Sequence, residues 1–239
     1  MYLMNIRSQP ELIVALDVPE LDRACELADR LPDEVTWCKV GLELFGADGP
    51  AAVRALKERG RKVFLDLKLH DIPRTVGRAV RSLAATGADM MTLHAGGGRA
   101  MCAQAAEAAA SCDRPPLLLG VTVLTSLNRE DLGELGVDRT VDEQAGSLGD
   151  LAIEAGLDGL VCSVWEAAAL RARHPAARLV TPGIRLPDQE TGDQKRIATP
   201  ALAAREGASH IVVGRPIVQA EDPAAAAQTI LNELRNPPA

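Results

Sequence analysis

The sequence predicts an α/β protein whose single domain, residues 1–239, is a closed (β/α)8 barrel of the TIM type. Short apolar runs alternate along the chain with longer amphipathic segments, and there are eight of each. Strict alternation of this kind is typical of right-handed βαβ units that share a parallel sheet. Eight units in 239 residues favour a closed barrel over an open sheet. The open alternative also lacks a Gly-x-Gly-x-x-Gly motif after the first apolar run.

The strands are predicted at the apolar runs, most of which are rich in Val, Ile or Leu. Near-continuous apolar character over so short a length is typical of parallel strands that are buried on both faces. In chain order, the predicted strands are residues 12–17, 36–41, 62–68, 90–94, 117–124, 159–163, 179–182 and 210–214.

Helices are predicted where apolar residues recur every three or four positions. In the first of these segments, Leu21, Ala24, Leu27, Ala28 and Leu31 fall on one face. The predicted helices are residues 21–31, 51–59, 75–85, 100–110, 141–155, 166–173, 200–206 and 223–234. Since no Pro/Ser-rich linker or break in composition separates these units, we expect one domain.

Composition and charge exclude several classes of function. The net charge is −7 and no run of Lys or Arg is present, which argues against nucleic-acid binding. No segment approaches the roughly 18 apolar residues of a membrane span. The five cysteines, an odd number without a Cys-x-x-Cys pair, predict free thiols in a reducing compartment, so we expect a cytoplasmic protein. The four histidines form no cluster, which argues against a histidine-built metal site.

Charged side chains are predicted at the ends of the first three strands, where the active sites of such barrels lie. Asp66 and Lys68 are two residues apart on one strand and therefore face the same side of it, while Asp17 and Lys39 end the two preceding strands. Alternating carboxylate and ammonium groups offset the cost of burial and favour electrostatic or proton-transfer chemistry. The alternatives are an ion-pair network that only fixes packing and a Schiff-base lysine, although an ammonium group between aspartates is a poor nucleophile.

The last two strands predict an anion site. Gly214 allows the backbone to approach a ligand closely, and the planar guanidinium of Arg215 matches a phosphate group. The polar, turn-rich loop at residues 181–196 is interpreted as a lid over the phosphate, with an exposed surface insertion as the alternative. For residues 95–99 (AGGGR), a tight turn is favoured over an anion cradle, and for His94 a supporting role is favoured over acid–base catalysis.

The segment at residues 66–75, DLKLHDIPRT, resembles the signature of the orotidine 5′-phosphate decarboxylase family. Shorter segments resemble that family in the same order along nearly the whole chain: 15–17 (ALD), 38–41 (CKVG), 93–95 (LHA), 123–126 (VLTS), 181–185 (TPGIR), 192–196 (GDQKR) and 213–216 (VGRP). The resemblance implies a homodimer that converts orotidine 5′-phosphate to UMP and carbon dioxide, the last step of de novo pyrimidine nucleotide biosynthesis. It also implies that neither a metal nor an organic cofactor takes part.

The resemblance also implies roles for individual residues. Lys68 would protonate C6 after carbon dioxide leaves, Asp66 would lie near the departing carboxylate, and Asp71 would reach into the site of the neighbouring subunit. The remaining implied contacts are with the substrate: Asp17 and Lys39 with ribose, Thr75 with ribose from the partner chain, Ile72 as a further contact, Thr125 or Ser126 with the pyrimidine edge, and Pro182, Arg185, Gln194, Gly214 and Arg215 with the phosphate and lid.

Two other functions stay open at this point. Sugar-phosphate enzymes of the same suprafamily, such as 3-keto-gulonate 6-phosphate decarboxylase and hexulose-phosphate synthase, share a similar Asp-x-Lys-x-x-Asp pattern but need magnesium. They resemble one another in placing a metal-binding Glu at the second strand end, where this chain has Lys39, a cation that would repel the metal. The other function is a non-catalytic phosphate-binding barrel that senses nucleotides, and the complete set of charged residues argues against it.

Overall fold

The computed structural model describes residues 9–186, 196 and 198–235. Within these residues, eight parallel strands form a closed barrel in which each strand pairs with its neighbours in chain order and β8 pairs with β1. The strands are β1 (Glu11–Ala15), β2 (Trp37–Val40), β3 (Lys62–Leu69), β4 (Met90–His94), β5 (Leu117–Val121), β6 (Gly159–Val161), β7 (Arg178–Thr181) and β8 (His210–Val213). The predicted α/β fold, a (β/α)8 barrel, is confirmed.

Helices follow the strands and form the outer layer of the barrel. The α-helices of the described residues are α1 (Leu21–Arg30), α2 (Leu42–Asp48), α3 (Pro50–Glu58), α4 (Pro73–Ala84), α5 (Arg99–Ala110), α6 (Arg129–Glu134), α7 (Val141–Glu154), α8 (Val164–Arg173), α9 (Pro200–Arg205), α10 (Arg215–Val218) and α11 (Pro223–Arg235). None of the described helices combines the length and the apolar character that crossing a membrane requires.

All eight predicted helices are present with small shifts at their ends, whereas α2, α6 and α10 were not predicted. These three helices span only four to seven residues, too short for an apolar repeat to become visible in the sequence. The fifth strand ends at Val121 instead of residue 124; its neighbour β6 ends at Val161, whose carbonyl accepts a last backbone hydrogen bond from the Thr122 N–H at 3.1 Å.

Side chains alternate between an inner core within the barrel and an outer core beneath the helices. Phe64 and Met90 belong to the inner core, whereas Leu65, Met91 and Leu93 belong to the outer core. This alternation is the consequence of the two-residue repeat of a β-strand. The inner core fills the lower part of the barrel and supports the polar side chains at the upper end.

The amino-terminal end of the barrel is closed by a small polar cluster. The indole Nε1 of Trp37 donates a hydrogen bond to Oε2 of Glu11 at 3.1 Å, and the ring of His210 meets the Trp37 ring edge-on at 5.5 Å. Nε2 of His210 lies 3.4 Å from Oε1 of Glu11. Because His210 is buried among these groups, desolvation lowers its pKa to about 4.

Candidate active site

A cavity of about 630 Å³ lies at the carboxyl ends of the strands. Its floor is formed by apolar residues of the inner core, among them Phe64, Val121 and Val212. Ten of the sequence-predicted site residues line its walls: Asp17, Lys39, Asp66, Lys68, Thr125, Ser126, Pro182, Arg185, Gly214 and Arg215. A volume of this size is typical of a small-molecule site.

One wall of the cavity carries a chain of alternating charges. Nζ of Lys39 lies 2.7 Å from Oδ1 of Asp17 and 3.8 Å from Oδ2 of Asp66, and Nζ of Lys68 lies 2.8 Å from the same Asp66 oxygen. Lys39 lies on β2, Asp66 and Lys68 lie on β3, and Asp17 lies two residues after the end of β1. Lys39 is 7% exposed, so the central cation of this chain is held away from bulk water.

The carboxyl group of Asp66 is stabilised in its charged form. Burial alone would raise its pKa, but the positive charges of Lys39 and Lys68, together with hydrogen bonds from Lys68 and Thr92, outweigh burial and hold the pKa below its ordinary value. A carboxylate is therefore present at this point of the cavity at neutral pH. Its stabilisation depends on two cations, Lys68 from the same strand and Lys39 from the neighbouring strand β2, as the sequence pattern predicts.

Lys68 has an unusual backbone conformation. Its φ angle is 51°, in the left-handed region that side-chain-bearing residues rarely adopt. The pairing of β3 with β4 is irregular at this point, and the Lys68 N–H donates a hydrogen bond to Oγ1 of Thr92 at 2.9 Å instead of joining a regular ladder. The chain therefore departs from strand geometry at the residue that points its ammonium group into the cavity.

A second part of the cavity wall is formed by the segments that follow β7 and β8, and β8 pairs with β1. Arg185 is 8% exposed, and its backbone N–H donates to the carbonyl of Ala198, while the Ala198 N–H donates to the carbonyl of Gly183. These two hydrogen bonds join the segment after β7 to Ala198, shortly before the start of α9. Arg215, at the start of α10, lines the same wall. Gln194, which the sequence predicts as a phosphate contact, lies outside the described residues.

Arg196 is attached to the barrel through its side chain. Its guanidinium is paired with the carboxylate of Glu166 and donates to the backbone carbonyls of Val123 and Leu124 at 3.3 and 3.2 Å. Glu166 also caps the start of α8 by accepting a hydrogen bond from the Ser163 N–H. Arg196 is therefore tied to the segment after β5 that carries Thr125 and Ser126.

Three predicted site residues lie outside this cavity. Asp71, Ile72 and Thr75 are exposed at the start of α4, and none of them lines the cavity. Oδ1 of Asp71 accepts a hydrogen bond from the Ile72 N–H at 2.6 Å. The Ile72 side chain is 67% exposed, which is unusual for a large apolar residue.

The comparisons with known proteins address the family directly. The model of the Orotidine 5'-phosphate decarboxylase / HUMPS family matches residues 10–230. The chain belongs to this family. It is 51% identical to orotidine 5′-phosphate decarboxylase of Moorella thermoacetica, over 97% of this chain and 95% of that protein. It is 50% identical to the enzyme of the same name from Opitutus terrae, over 95% and 99%.

A solved structure resembles the whole barrel. The crystal structure of orotidine 5′-phosphate decarboxylase from Lactobacillus acidophilus has a TM-score of 0.83 and 38% identity, over 95% of this chain and 99% of that one. A family member therefore has the same architecture along nearly the full chain.

Two strand-end polar residues of this family member do not line the cavity. Ser163 caps α8, and His94 is half-buried with its ring 5.4 Å from that of His70. Burial lowers the pKa of His94, and the positive charges of His70 and Lys68 lower it further. Residues 95–99 form a 3-10 turn, Ala95–Gly97, followed by the start of α5, as the favoured interpretation expects.

Sequence reasoning missed two residues that support the charged wall. Thr92, fully buried on β4, contacts both Asp66 and Lys68. Gly41 leaves the space in which Lys39 and Asp17 meet, because a Cβ at this position would lie 2.7 Å from the Lys39 amine and 2.6 Å from Oδ1 of Asp17. A glycine directly after a predicted strand can be recognised in the sequence as a position where side chains approach the backbone closely. A threonine within a strand carries no such indication of a supporting role.

Proposed function

We propose that this chain converts orotidine 5′-phosphate to UMP and carbon dioxide, the last step of de novo UMP biosynthesis. The observation that carries the proposal is the Lys68 ammonium group, which lines one cavity together with Arg185 and Arg215. A cation for the reacting carbon and two guanidinium groups for a remote phosphate fit a phosphorylated substrate that loses a carboxyl group. Family membership supports the same reaction.

The chemistry follows from the charges around the reacting carbon. When the bond between C6 and the carboxyl group breaks, carbon dioxide leaves and the electron pair stays on C6. The ammonium group of Lys68 stabilises this charge and transfers a proton to C6, and the resulting amine regains a proton from solvent. Asp66 lies 2.8 Å from that ammonium and orients it. Remote phosphate contacts supply binding energy that holds the ring against these groups.

The other residues of the cavity are assigned to the parts of the nucleotide. Asp17 and Lys39 bind the ribose hydroxyls, and Thr125 or Ser126 binds the pyrimidine edge. The phosphate contacts are Pro182, Arg185, Gly214 and Arg215, with Gln194 from the loop. Arg185 and Arg215 line the cavity from the segments after β7 and β8, whereas Lys68 and Asp66 line it from β3, and this difference supports the division.

We further propose that the reaction needs neither a metal nor an organic cofactor. Lys39 places a cation at the end of β2, 2.7 Å from Asp17 and 3.8 Å from Asp66. A divalent ion coordinated by these two carboxylates would meet this ammonium group directly. The charge arrangement therefore favours the metal-independent reaction over that of the magnesium-dependent sugar-phosphate enzymes.

We also propose that the enzyme is a homodimer in the cytoplasm with active sites shared across the interface. Asp71, Ile72 and Thr75 are exposed beside the cavity without lining it, so they are available to a neighbouring subunit. The exposed side chains of Ile72 and Leu42, 67% and 65%, supply apolar surface for such a contact. All five cysteines are free thiols, in keeping with a reducing compartment.

One experiment tests substrate, reaction and metal independence together. The loss of orotidine 5′-phosphate absorbance is followed with purified protein in excess EDTA, with the Lys68→Ala variant purified in parallel to measure contaminating host enzyme. Turnover by the parental protein alone is the expected result. Activity that EDTA abolishes and magnesium restores would support the sugar-phosphate class, and tight UMP binding without turnover would support a nucleotide sensor.

A further inference from the structure

Thr92 sits opposite an irregular stretch of β3. The two strands pair at Leu65 with Met91 and again at Leu69 with Leu93, so residues 66–68 of β3 face Thr92 alone on β4. Thr92 is 0% exposed and, like Met90 two residues before it, points to the inside of the barrel. Its hydroxyl therefore lies directly beneath the residues of the charged wall.

Both hydrogen-bonding functions of this hydroxyl are used. It donates to Oδ1 of Asp66 at 2.9 Å and accepts the backbone N–H of Lys68 at 2.9 Å. The two carboxylate oxygens of Asp66 therefore have different partners. Oδ1 accepts the hydrogen bond from Thr92, and Oδ2 faces the amines of Lys68 and Lys39. A hydroxyl supplies a donor and an acceptor at one point, and an apolar side chain supplies neither.

The Thr92 hydroxyl takes the place of a backbone carbonyl as the hydrogen-bond acceptor of the Lys68 N–H. With φ at 51°, Lys68 has an unfavourable conformation that persists only where its surroundings impose it. The hydrogen bond from its N–H to Thr92 stabilises this conformation, and the conformation sets the direction in which the side chain leaves the strand. Thr92 thus fixes the base of the lysine and the plane of the carboxylate with which it pairs.

We propose that Thr92 is a positioning residue for decarboxylation, acting through Asp66 and Lys68 without touching the substrate; this inference rests on the proposed function. An ammonium group displaced by a fraction of an ångström stabilises the developing charge less well, whereas the remote phosphate contacts are unaffected. Loss of the hydroxyl therefore lowers kcat and leaves KM nearly unchanged.

The test compares three variants with the parental enzyme. Thr92→Val keeps the shape and removes the hydroxyl, and Thr92→Ser keeps the hydroxyl. Thr122→Val is the matched control, because Thr122 is also buried, lies just after the adjacent strand β5 and does not line the cavity. Among the described residues, its hydroxyl donates to the carbonyl of Val161 at 3.1 Å. For each protein, kcat and KM for orotidine 5′-phosphate are measured, together with the melting temperature.

We expect Thr92→Val to lose roughly 10- to 100-fold in kcat at near-parental KM, with Thr92→Ser and Thr122→Val close to the parental kcat. An unchanged kcat in Thr92→Val, or an equal loss in Thr92→Ser, overturns the positioning role. If Thr92→Val does not fold, Thr92→Ala takes its place under the same criteria. A parental enzyme that does not decarboxylate the substrate at all would instead refute the proposed function.

Discussion

Nζ of Lys68 lies 2.8 Å from Oδ2 of Asp66, and the two side chains leave the same strand two residues apart. The pair gives the cavity a cation whose position is fixed by a carboxylate that does not itself need to react. A carboxylate with a pKa held below its ordinary value keeps this arrangement over the neutral pH range.

Replacement of Lys68 by Ala is expected to abolish nearly all turnover while UMP still binds. The variant loses both the charge that stabilises the carbanion and the proton donor, so we expect kcat to fall roughly 10⁴-fold or more. Steady-state kinetics and UMP titration measure the two effects. Lys62→Ala, at the opposite end of β3 over the Trp37 ring, is the control and should keep the parental kcat. A near-parental rate in Lys68→Ala would falsify the assigned mechanism.

Replacement of Arg215 by Ala is expected to weaken substrate binding. A charge-assisted hydrogen bond to phosphate contributes about 1.5–3 kcal/mol, so KM should rise roughly 10- to 100-fold. Arg205→Ala removes an exposed arginine of α9 that pairs with Glu206, and it should leave KM unchanged. If KM is the same in Arg215→Ala and the parental enzyme, Arg215 does not hold the phosphate.

Mixing inactive Lys68→Ala and Asp71→Ala subunits is expected to restore activity. In a shared-site dimer, each mixed dimer has one site with both residues intact, and random exchange makes half of the dimers mixed. The activity should therefore approach about one quarter of the parental value. Mixing Lys68→Ala with Asp66→Asn is the control, because both residues serve the same subunit's site and no intact site can form. An absence of recovery despite verified subunit exchange would show that Asp71 acts within its own subunit.

The barrel and most of the charged wall could be predicted because both depend on local periodicity. The two-residue spacing of Asp66 and Lys68 predicts that they share a side of the strand, and both line the cavity. The prediction holds although β3 is irregular here. Three residues of β3 face one residue of β4, so β3 contains two extra residues, and an even number of extra residues leaves each side chain on its original face of the sheet.

The supporting contacts could not be predicted, because they depend on which residue of one strand faces which residue of the next. The left-handed backbone of Lys68 arises only from the mismatch between β3 and β4, and Thr92 acquires its role from facing that mismatch. Nothing in the local sequence around Thr92 distinguishes it from other strand threonines. The subunit assignment of Asp71 likewise stays a prediction, since it depends on a second chain.

The stability of the barrel is expected to fall as the solution becomes acidic, in part through His210. The folded protein holds the pKa of His210 at about 4, below the ordinary value of 6.5, so the unfolded chain binds a proton first. This contribution is fully present above pH 6.5 and is lost as the pH falls towards 4, on the order of 3 kcal/mol in total. Urea unfolding between pH 7 and 4 measures it. His210→Gln, which does not titrate, should have a smaller pH dependence, and an identical dependence in both proteins contradicts the assignment.

Replacement of Gly41 by Ala is expected to disturb the charged wall through its first ion pair. The added Cβ would lie 2.6 Å from Oδ1 of Asp17 and 2.7 Å from Nζ of Lys39, closer than such atoms can approach, so both charged groups must shift from their present positions. The φ of Gly41 is −96°, which any residue can adopt, so the effect is one of space and not of backbone conformation. Since Lys39 also faces Asp66 at 3.8 Å, we expect kcat/KM to fall roughly 10- to 100-fold.

Gly46→Ala provides the matched control for this substitution. Gly46 lies within α2, five residues further along the chain, and a Cβ there meets nothing within 4 Å. The control should keep the parental kcat/KM and gain stability, about 0.5–1 kcal/mol, because alanine favours the helix. A comparable loss of activity in both variants would mean that the segment after β2 is generally intolerant of substitution. Parental activity in Gly41→Ala would mean that the contact between Asp17 and Lys39 is not needed for turnover.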